Sequence, residues 1–375
     1  MRRLTYIHEL PDWPKFTWDS AALAPALSEV RHKQGRLLGR MEGLGFELRR
    51  EASLATLISD VVKSSAIEGE HLNPEEVRSS IARQLGLEVG GLAAANRDVD
   101  GIVEMMLDAT QHYEAPLTRE RLFDWHAALF PTGRSGMRRI VVGAWRGPDS
   151  GPMRVVSGAI GKERVHFEAP KASRLAAEMK RFVTWIEARS SVDWMLRAGV
   201  AHLWFVTIHP FEDGNGRIAR AIADMALSRS DGSKERFYSM SSQVEKERKA
   251  YYDQLERQQS GSLDITPWLE WFLACLDRAV QAADESLSAV LYRSRLWERI
   301  NRATVNQRQR SILHRMLGDF EGFLNTSKYA KLTKCSSDTA LRDTQDLVEK
   351  GILLRNEGGG RSTSYRLGDL DSMRS

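Results

Sequence analysis

One stretch of the chain gathers side chains that can do chemistry: His209, Pro210, Phe211, Glu212, Asp213, Gly214, Asn215, Gly216, Arg217, Ile218, Ala219 and Arg220, in unbroken order. Gly214 and Gly216 let the backbone turn tightly, so that N–H groups at a helix start can face phosphate oxygens. Arg217 and Arg220 lie three apart, project from one side of a helix and offer two forks for phosphate. Asp213 is a hard oxygen ligand suited to one Mg2+ shared with phosphates. His209 can take up a proton near neutral pH, and Asn215 can hold the loop or donate to a phosphate oxygen. A plain turn between helices needs none of the histidine, the acid and both arginines. The set points to an anion site with a base beside it.

The flanking residues must position that loop. Residues 194–208 are apolar on most sides and predict a buried helix. Pro210 should stop it near His209, because the residue before a proline is pushed out of the α region. Residues 218–227 read as a second helix with a largely apolar face.

The twelve residues resemble, without departure, the signature of the Fic family, His-Pro-Phe-x-Asp/Glu-Gly-Asn-Gly-Arg-x-x-Arg. The resemblance implies transfer of a nucleoside monophosphate, usually AMP from ATP, onto a Ser, Thr or Tyr hydroxyl of a protein, the chain itself included. It makes His209 the base and Asp213 the holder of Mg2+. Gly214, Asn215 and Gly216 become the anion hole, and Arg217 and Arg220 the grip on the outer phosphates. Upstream, Ser64-x-x-x-Glu68-Gly69 resembles the family's inhibitory motif, in which the glutamate pairs with the second arginine, here Arg220. An Arg220 engaged by a carboxylate is not free for the γ-phosphate. Gly69 suits the left-handed end of a helix.

The rest of the chain frames this core. With 375 residues, two or three domains are expected. A hydrophobic share of 42% and a charged share of 28% are ordinary for globular chains, and a net charge of +4 is no nucleic-acid signature. Cys275 and Cys335 lie far apart and match no metal spacing, and no stretch approaches the ~20 apolar residues that cross a bilayer. A cytoplasmic protein without a signal peptide or membrane contact is expected. Residues 1–18 read as an extended arm whose tryptophans dock on the body or on a second subunit. Helices are predicted at about 19–42, 46–68, 74–85, 92–113, 118–129, 172–188 and 193–208. The stretches 139–146, 154–158 and 163–168 are β-rich and broken by Gly and Pro. By resemblance a hairpin flap at about 161–168 clamps the target's main chain, which gives His166 a flap role rather than a catalytic one. Of Tyr251 and Tyr252, one is assigned to the core and one to the pocket edge, with Tyr252 taken as the nucleotide contact.

A strongly apolar helix begins near Asp264, and a charged connector helix is read over 283–304. Residues 305–375 follow the helix–helix–helix–hairpin order of a winged helix. From Ala303 to Ser375 there are 12 Lys and Arg against 9 Asp and Glu, but the presumed recognition helix from Ser336 to Lys350 carries a net −2. That is poor for a phosphate-lined groove, so protein docking or homodimer formation is at least as well supported as DNA binding. The reading is thus mainly α. Residues 1–90 form the arm and helices with the inhibitory segment, 91–282 the Fic core, 283–304 the connector and 305–375 the winged-helix-like domain.

Overall fold

The computed structural model describes residues 5–86, 96–157, 164–317, 320, 322–356 and 363–368. Two compact units divide the chain, residues 1–283 and 284–375. The first is helical. After a 3-10 turn at Ile7–Glu9 come α1 (Ser20–Glu42), α2 (Phe46–Ile67), α3 (Pro74–Gln84), α4 (Arg97–Gln111) and α5 (Arg119–Leu129). Two hairpins follow, β1 (Arg134–Ser135) with β2 (Arg138–Arg139) and β3 (Arg154–Ser157) with β4 (Arg164–Glu168). Then come α6 (Leu175–Glu187), α7 (Trp194–Ile208), α8 (Asn215–Asp231), α9 (Met240–Lys246) and α10 (Arg248–Gln259).

Local chemistry explains the boundaries. Asp19 caps α1 through its carboxylate on the N–H groups of Ala21 and Ala22, and Asn73 caps α3 with Pro74 in its first turn. The centre of the unit is α7, in which every residue from Met195 to Ile208 is buried. A helix apolar all round must be enclosed on all sides, and α8 and α6 supply part of that enclosure.

Three expectations need correction. The arm is not extended throughout, since it coils at Ile7–Glu9 and then docks on the body, Trp13 Nε1 donating to Glu178 Oε2 at 2.9 Å. The β-rich stretch 139–146 forms no strand beyond Arg139. Its backbone is instead tied to neighbours, with Arg146 N–H donating to Pro210 O at 2.9 Å. The apolar helix and the charged connector are one helix, α11 (Thr266–Arg302). Pro267 sits where a helix start tolerates it and no breaker follows, so the composition change near 283 alters exposure and not conformation. Of the flap expected at 161–168, residues 161–163 lie outside the described residues and 164–168 are β4. The first residues of the helix expected at 92–113 also lie outside them.

The second unit contains the end of α11, α12 (Gln307–Leu317), β5 (Leu324–Asn325), α13 (Thr326–Thr333), α14 (Ser337–Glu349), β6 (Leu353–Arg355) and β7 (Ser364–Leu367), with strand order β5-β7-β6. It has its own core, built on Leu296, Ile300, Ile312, Leu313, Tyr329, Leu347 and Tyr365 among others. Two of the acids that gave residues 336–350 their negative balance do not face outward as free charges. Asp343 is buried and accepts from Arg308, Asn306 and Tyr329, and Asp346 accepts from Lys350 and Gln309.

Candidate active site

The loop between α7 and α8 is held in an unusual shape. His209 closes α7 with φ 52 and ψ 59, the left-handed region, and Gly214 opens α8 at φ 78. The pre-proline position therefore leaves the α region as expected, but into a conformation that costs a non-glycine residue energy. Neighbours hold it there. His209 N–H donates to Phe205 O at 2.9 Å, and the buried Arg146 donates through Nε to His209 O at 2.8 Å. Phe211 is fully buried and stacks on His126 at 4.1 Å. Asn215 spends its whole amide on this loop, accepting from Phe211 N–H and donating to Phe211 O, each at 2.9 Å. Of the two uses open to its side chain, the structure shows the first.

The imidazole is oriented. His209 Nδ1 lies 3.2 Å from Val206 O. A carbonyl only accepts, so Nδ1 carries the proton and Nε2 keeps its lone pair. Burial pushes the pKa of His209 down to about 4, with Arg146 in the same direction and the Val206 carbonyl, Glu68 and Asp213 opposing. The ring is thus neutral at ordinary pH and able to accept a proton.

Glycines define the niche beside it. At Gly214, a Cβ would meet Phe130 at 2.9 Å, and the positive φ independently asks for glycine. At Gly216, a Cβ would lie 2.1 Å from Glu68 Oε1. The space over the first turn of α8 therefore holds a carboxylate belonging to the chain itself. Gly214 has no side chain to cap this helix start, whose first N–H groups have no intrahelical partner.

Glu68 arrives from the end of α2. Gly69 takes φ +88 there, as its position predicted. Arg220 donates to Glu68 Oε1 at 2.8 Å and to Ser64 Oγ and Ser64 O at 2.9 Å each. The pairing of Ser64 and Glu68 with Arg220 is present in the geometry. The sequence did not suggest the second pairing: Arg217 donates to Glu70 Oε2 at 2.6 Å and lies over the Phe130 ring. Both arginines of the loop are engaged by carboxylates from one short segment. In a variant lacking Glu68, the further change Glu70→Gln is expected to raise nucleotide binding only a few-fold more, because the Glu70 side chain is 48% exposed and solvent screens the pair. Titration of ATP into the two variants by calorimetry checks this.

Asp213 is half-buried, accepting from Gly214 N–H at 2.6 Å and from Ser135 Oγ. Among the described residues no group of three or more His, Cys, Asp or Glu side chains gathers to hold a metal. A single carboxylate fits an ion that brings most of its ligands as water and phosphate. Glu212, at the variable position of the motif, accepts from Ser150 Oγ and fastens the 141–150 segment to the loop. Sequence reasoning missed Glu70, Arg146 and His126, which contacts distant in sequence join to the loop, and the anchoring role of Glu212 within it.

A cavity of about 550 Å³ opens from His209, Gly216 and Glu68 to Tyr252, Arg248 and Glu256, with β3 and β4 over it. Tyr251 is buried, its hydroxyl 2.9 Å from His202 Nε2, and both Tyr251 and Tyr252 line the cavity. His166 is on β4 and bonds Ser157 and Glu256.

Behind the Glu68–Arg220 contact, Asp60, Ser64 and Glu68 recur every fourth residue at the end of α2, as do Gly216, Arg220 and Asp224 on α8. Asp60 and Asp224 are both buried near one salt-bridged arginine, Arg236. Burial, and then repulsion from Asp224, raise the Asp60 carboxyl well above the usual range, with Arg236 and Ser239 opposing. A folded-state pKa above the unfolded one contributes stability in acid that is lost as pH rises through it. Asp60→Asn should therefore flatten the fall in Tm between about pH 4 and about pH 8, as measured by differential scanning calorimetry.

Residues 116–227 match the family model described as "Fic/DOC family". The chain carries a Fic domain. Residues 6–87 match a second model, described as "Domain of unknown function (DUF4172)". Among curated proteins it is 26% identical over 252 residues to protein adenylyltransferase Fic of Culex quinquefasciatus, covering 66% of this chain and 45% of that one. It is 31% identical over 124 residues to a uridine 5'-monophosphate transferase of Xanthomonas campestris pv. campestris, covering 31% and 22%. The chain spans less than half the length of these curated relatives. A Fic family protein from Desulfovibrio desulfuricans shares the fold at TM-score 0.53 and 22% identity, over 92% of this chain and 96% of that one. A Fic domain-containing protein from Bacteroides thetaiotaomicron does so at TM-score 0.51 and 21% identity, over 69% and 95%. No helix among the described residues is long and apolar enough to cross a membrane.

Proposed function

We propose that this chain transfers AMP from ATP to Ser, Thr or Tyr hydroxyls of proteins, itself included, and that α2 holds it inactive at rest. The observation that carries the reading is the Glu68 carboxylate lodged over Gly216 and bonded to Arg220, a built-in anion where a phosphate would sit. His209 Nε2 takes the proton of the attacking hydroxyl as oxygen bonds to the α-phosphorus and pyrophosphate leaves in line. Gly214 and Gly216 let the backbone approach the phosphates, the N–H groups at the start of α8 donate to them, and the side chain of Asn215 keeps the loop in shape. Once freed, Arg217 and Arg220 neutralise the outer phosphates. Mg2+, when bound with the triphosphate, would be held by Asp213 and would offset the charge that builds on the leaving group.

Tyr252 closes the nucleoside end of the cavity. The β3–β4 hairpin offers a strand edge to the target's main chain. The second unit, with its helices ahead of a hairpin, serves as a winged-helix-type docking module for protein. The test is incubation of the purified chain with Mg2+ and either ATP or UTP labelled at the α-phosphate. Label retained on protein from ATP supports the reading, label from UTP alone replaces AMP by UMP, and none from either, with Glu68 also removed, sinks it.

A further inference from the structure

The cavity holds a second proton acceptor that the proposed reaction leaves unused. His166 Nδ1 lies 2.7 Å from Glu256 Oε2, and His166 Nε2 lies 2.6 Å from Ser157 Oγ. A carboxylate only accepts, so Nδ1 carries the ring proton and Nε2 presents a lone pair. The Ser157 hydroxyl therefore donates to His166. A hydroxyl bonded to an imidazole that a carboxylate orients is the arrangement of an activated oxygen nucleophile. Glu256 is itself fixed, accepting from Arg164 at 2.7 Å. Ser157, His166 and Glu256 line the same cavity as His209 and Gly216. The register explains how they meet: Ser157 pairs with Arg164 and Val156 with Val165, after a shift between Val155 and Val156. The shift turns Ser157 towards His166 diagonally across the hairpin.

We infer that Ser157 is an acceptor built into the chain, nucleotidylated in place by the nucleotide bound in this cavity. The inference rests on the nucleotidyl-transfer reading. Ser157 Oγ bonds to the α-phosphorus, and the bond from that phosphorus to the oxygen bridging the β-phosphate breaks. Pyrophosphate leaves with that oxygen, and the hydroxyl proton passes to His166 Nε2. The product is a phosphodiester on the last described residue of β3. Its bulk and charge stand on the hairpin that the proposed function assigns to target binding, so each chain would limit its own later use of protein targets.

The test uses the full chain with Glu68→Gly, incubated with Mg2+ and ATP labelled at the α-phosphate, with sites mapped by tandem mass spectrometry. Label is expected on Ser157, at a rate first order and independent of chain concentration. It should vanish from that position in Ser157→Ala and persist there in Ser157→Thr. His166→Phe should slow it about a hundredfold, the scale of a lost general base, with an unchanged thermal unfolding profile reporting an intact fold. Label elsewhere but never on Ser157 overturns this inference alone, as does an unchanged rate in His166→Phe. No label anywhere removes it together with the reading on which it rests.

Discussion

Replacing Glu68 by glycine is expected to raise transfer of labelled AMP from ATP about 10- to 100-fold. The scale follows from what is removed, a hydrogen bond between charged partners of about 1.5–3 kcal/mol. Glu68 Oε1 accepts from Arg220 at 2.8 Å and occupies the space over Gly216. Its loss frees a guanidinium and an anion niche in one step. The gain should fall mainly on productive nucleotide binding, because Arg220 is already fixed by the Ser64 hydroxyl and carbonyl and need not reorganise. Glu68→Gln separates charge from volume: it keeps the shape and removes the negative charge, so its activity should fall between the two. Initial rates of label incorporation, compared at one ATP concentration, decide the matter. Equal rates for all three proteins would show that the contact does not restrain the reaction.

The largest loss is expected at His209. In the Glu68→Gly background, His209→Ala should lower transfer about 10²- to 10⁴-fold, the contribution of a positioned base. ATP affinity should change little, since no phosphate partner is touched. The backbone there is left-handed, so His209→Asn is the better control, asparagine tolerating that conformation without supplying a base. Loss of both transfer and ATP binding in both variants would assign His209 to structure alone. The pKa adds a sign. Burial holds the imidazole near pKa about 4, and removing Glu68, whose charge opposes that fall, lowers it further, so the rate should be insensitive to His209 protonation from alkaline pH down to at least about 4, then fall as the ring takes up its proton. The pH–rate profile of the Glu68→Gly variant measures this.

Much of this site was legible before any coordinates because its parts are local. The loop residues, the helices on either side and the end of α2 at Gly69 follow from proline, glycine and the period of apolar residues. The placement of Ser64 and Glu68 against Arg220, more than 150 positions away, was reached through resemblance and not through pattern. Glu70 shows the limit. One residue beyond Gly69, nothing in its type or spacing distinguishes it from a solvated acid, and only the folded approach of α2 to α8 brings it to Arg217. Arg146 was hidden in a β-rich run, because branched residues that suit a strand also suit an irregular segment tied down by buried hydrogen bonds. The charge count over residues 336–350 is coarse for a related reason. It cannot tell Asp343, buried under three donors, from an acid facing solvent.

The space over Gly216 is filled by the Glu68 carboxylate. On the proposed function, that side-chain carboxylate is a tethered competitor of the incoming triphosphate, and its strength is an effective concentration fixed by how firmly α2 lies on α8. Dilution of the protein leaves that contest unchanged. On the proposed function, rising nucleotide would shift it smoothly and anything that loosens α2 would shift it at constant nucleotide, so the chain would be tunable from two independent directions without altering a single atom that touches the reacting phosphorus.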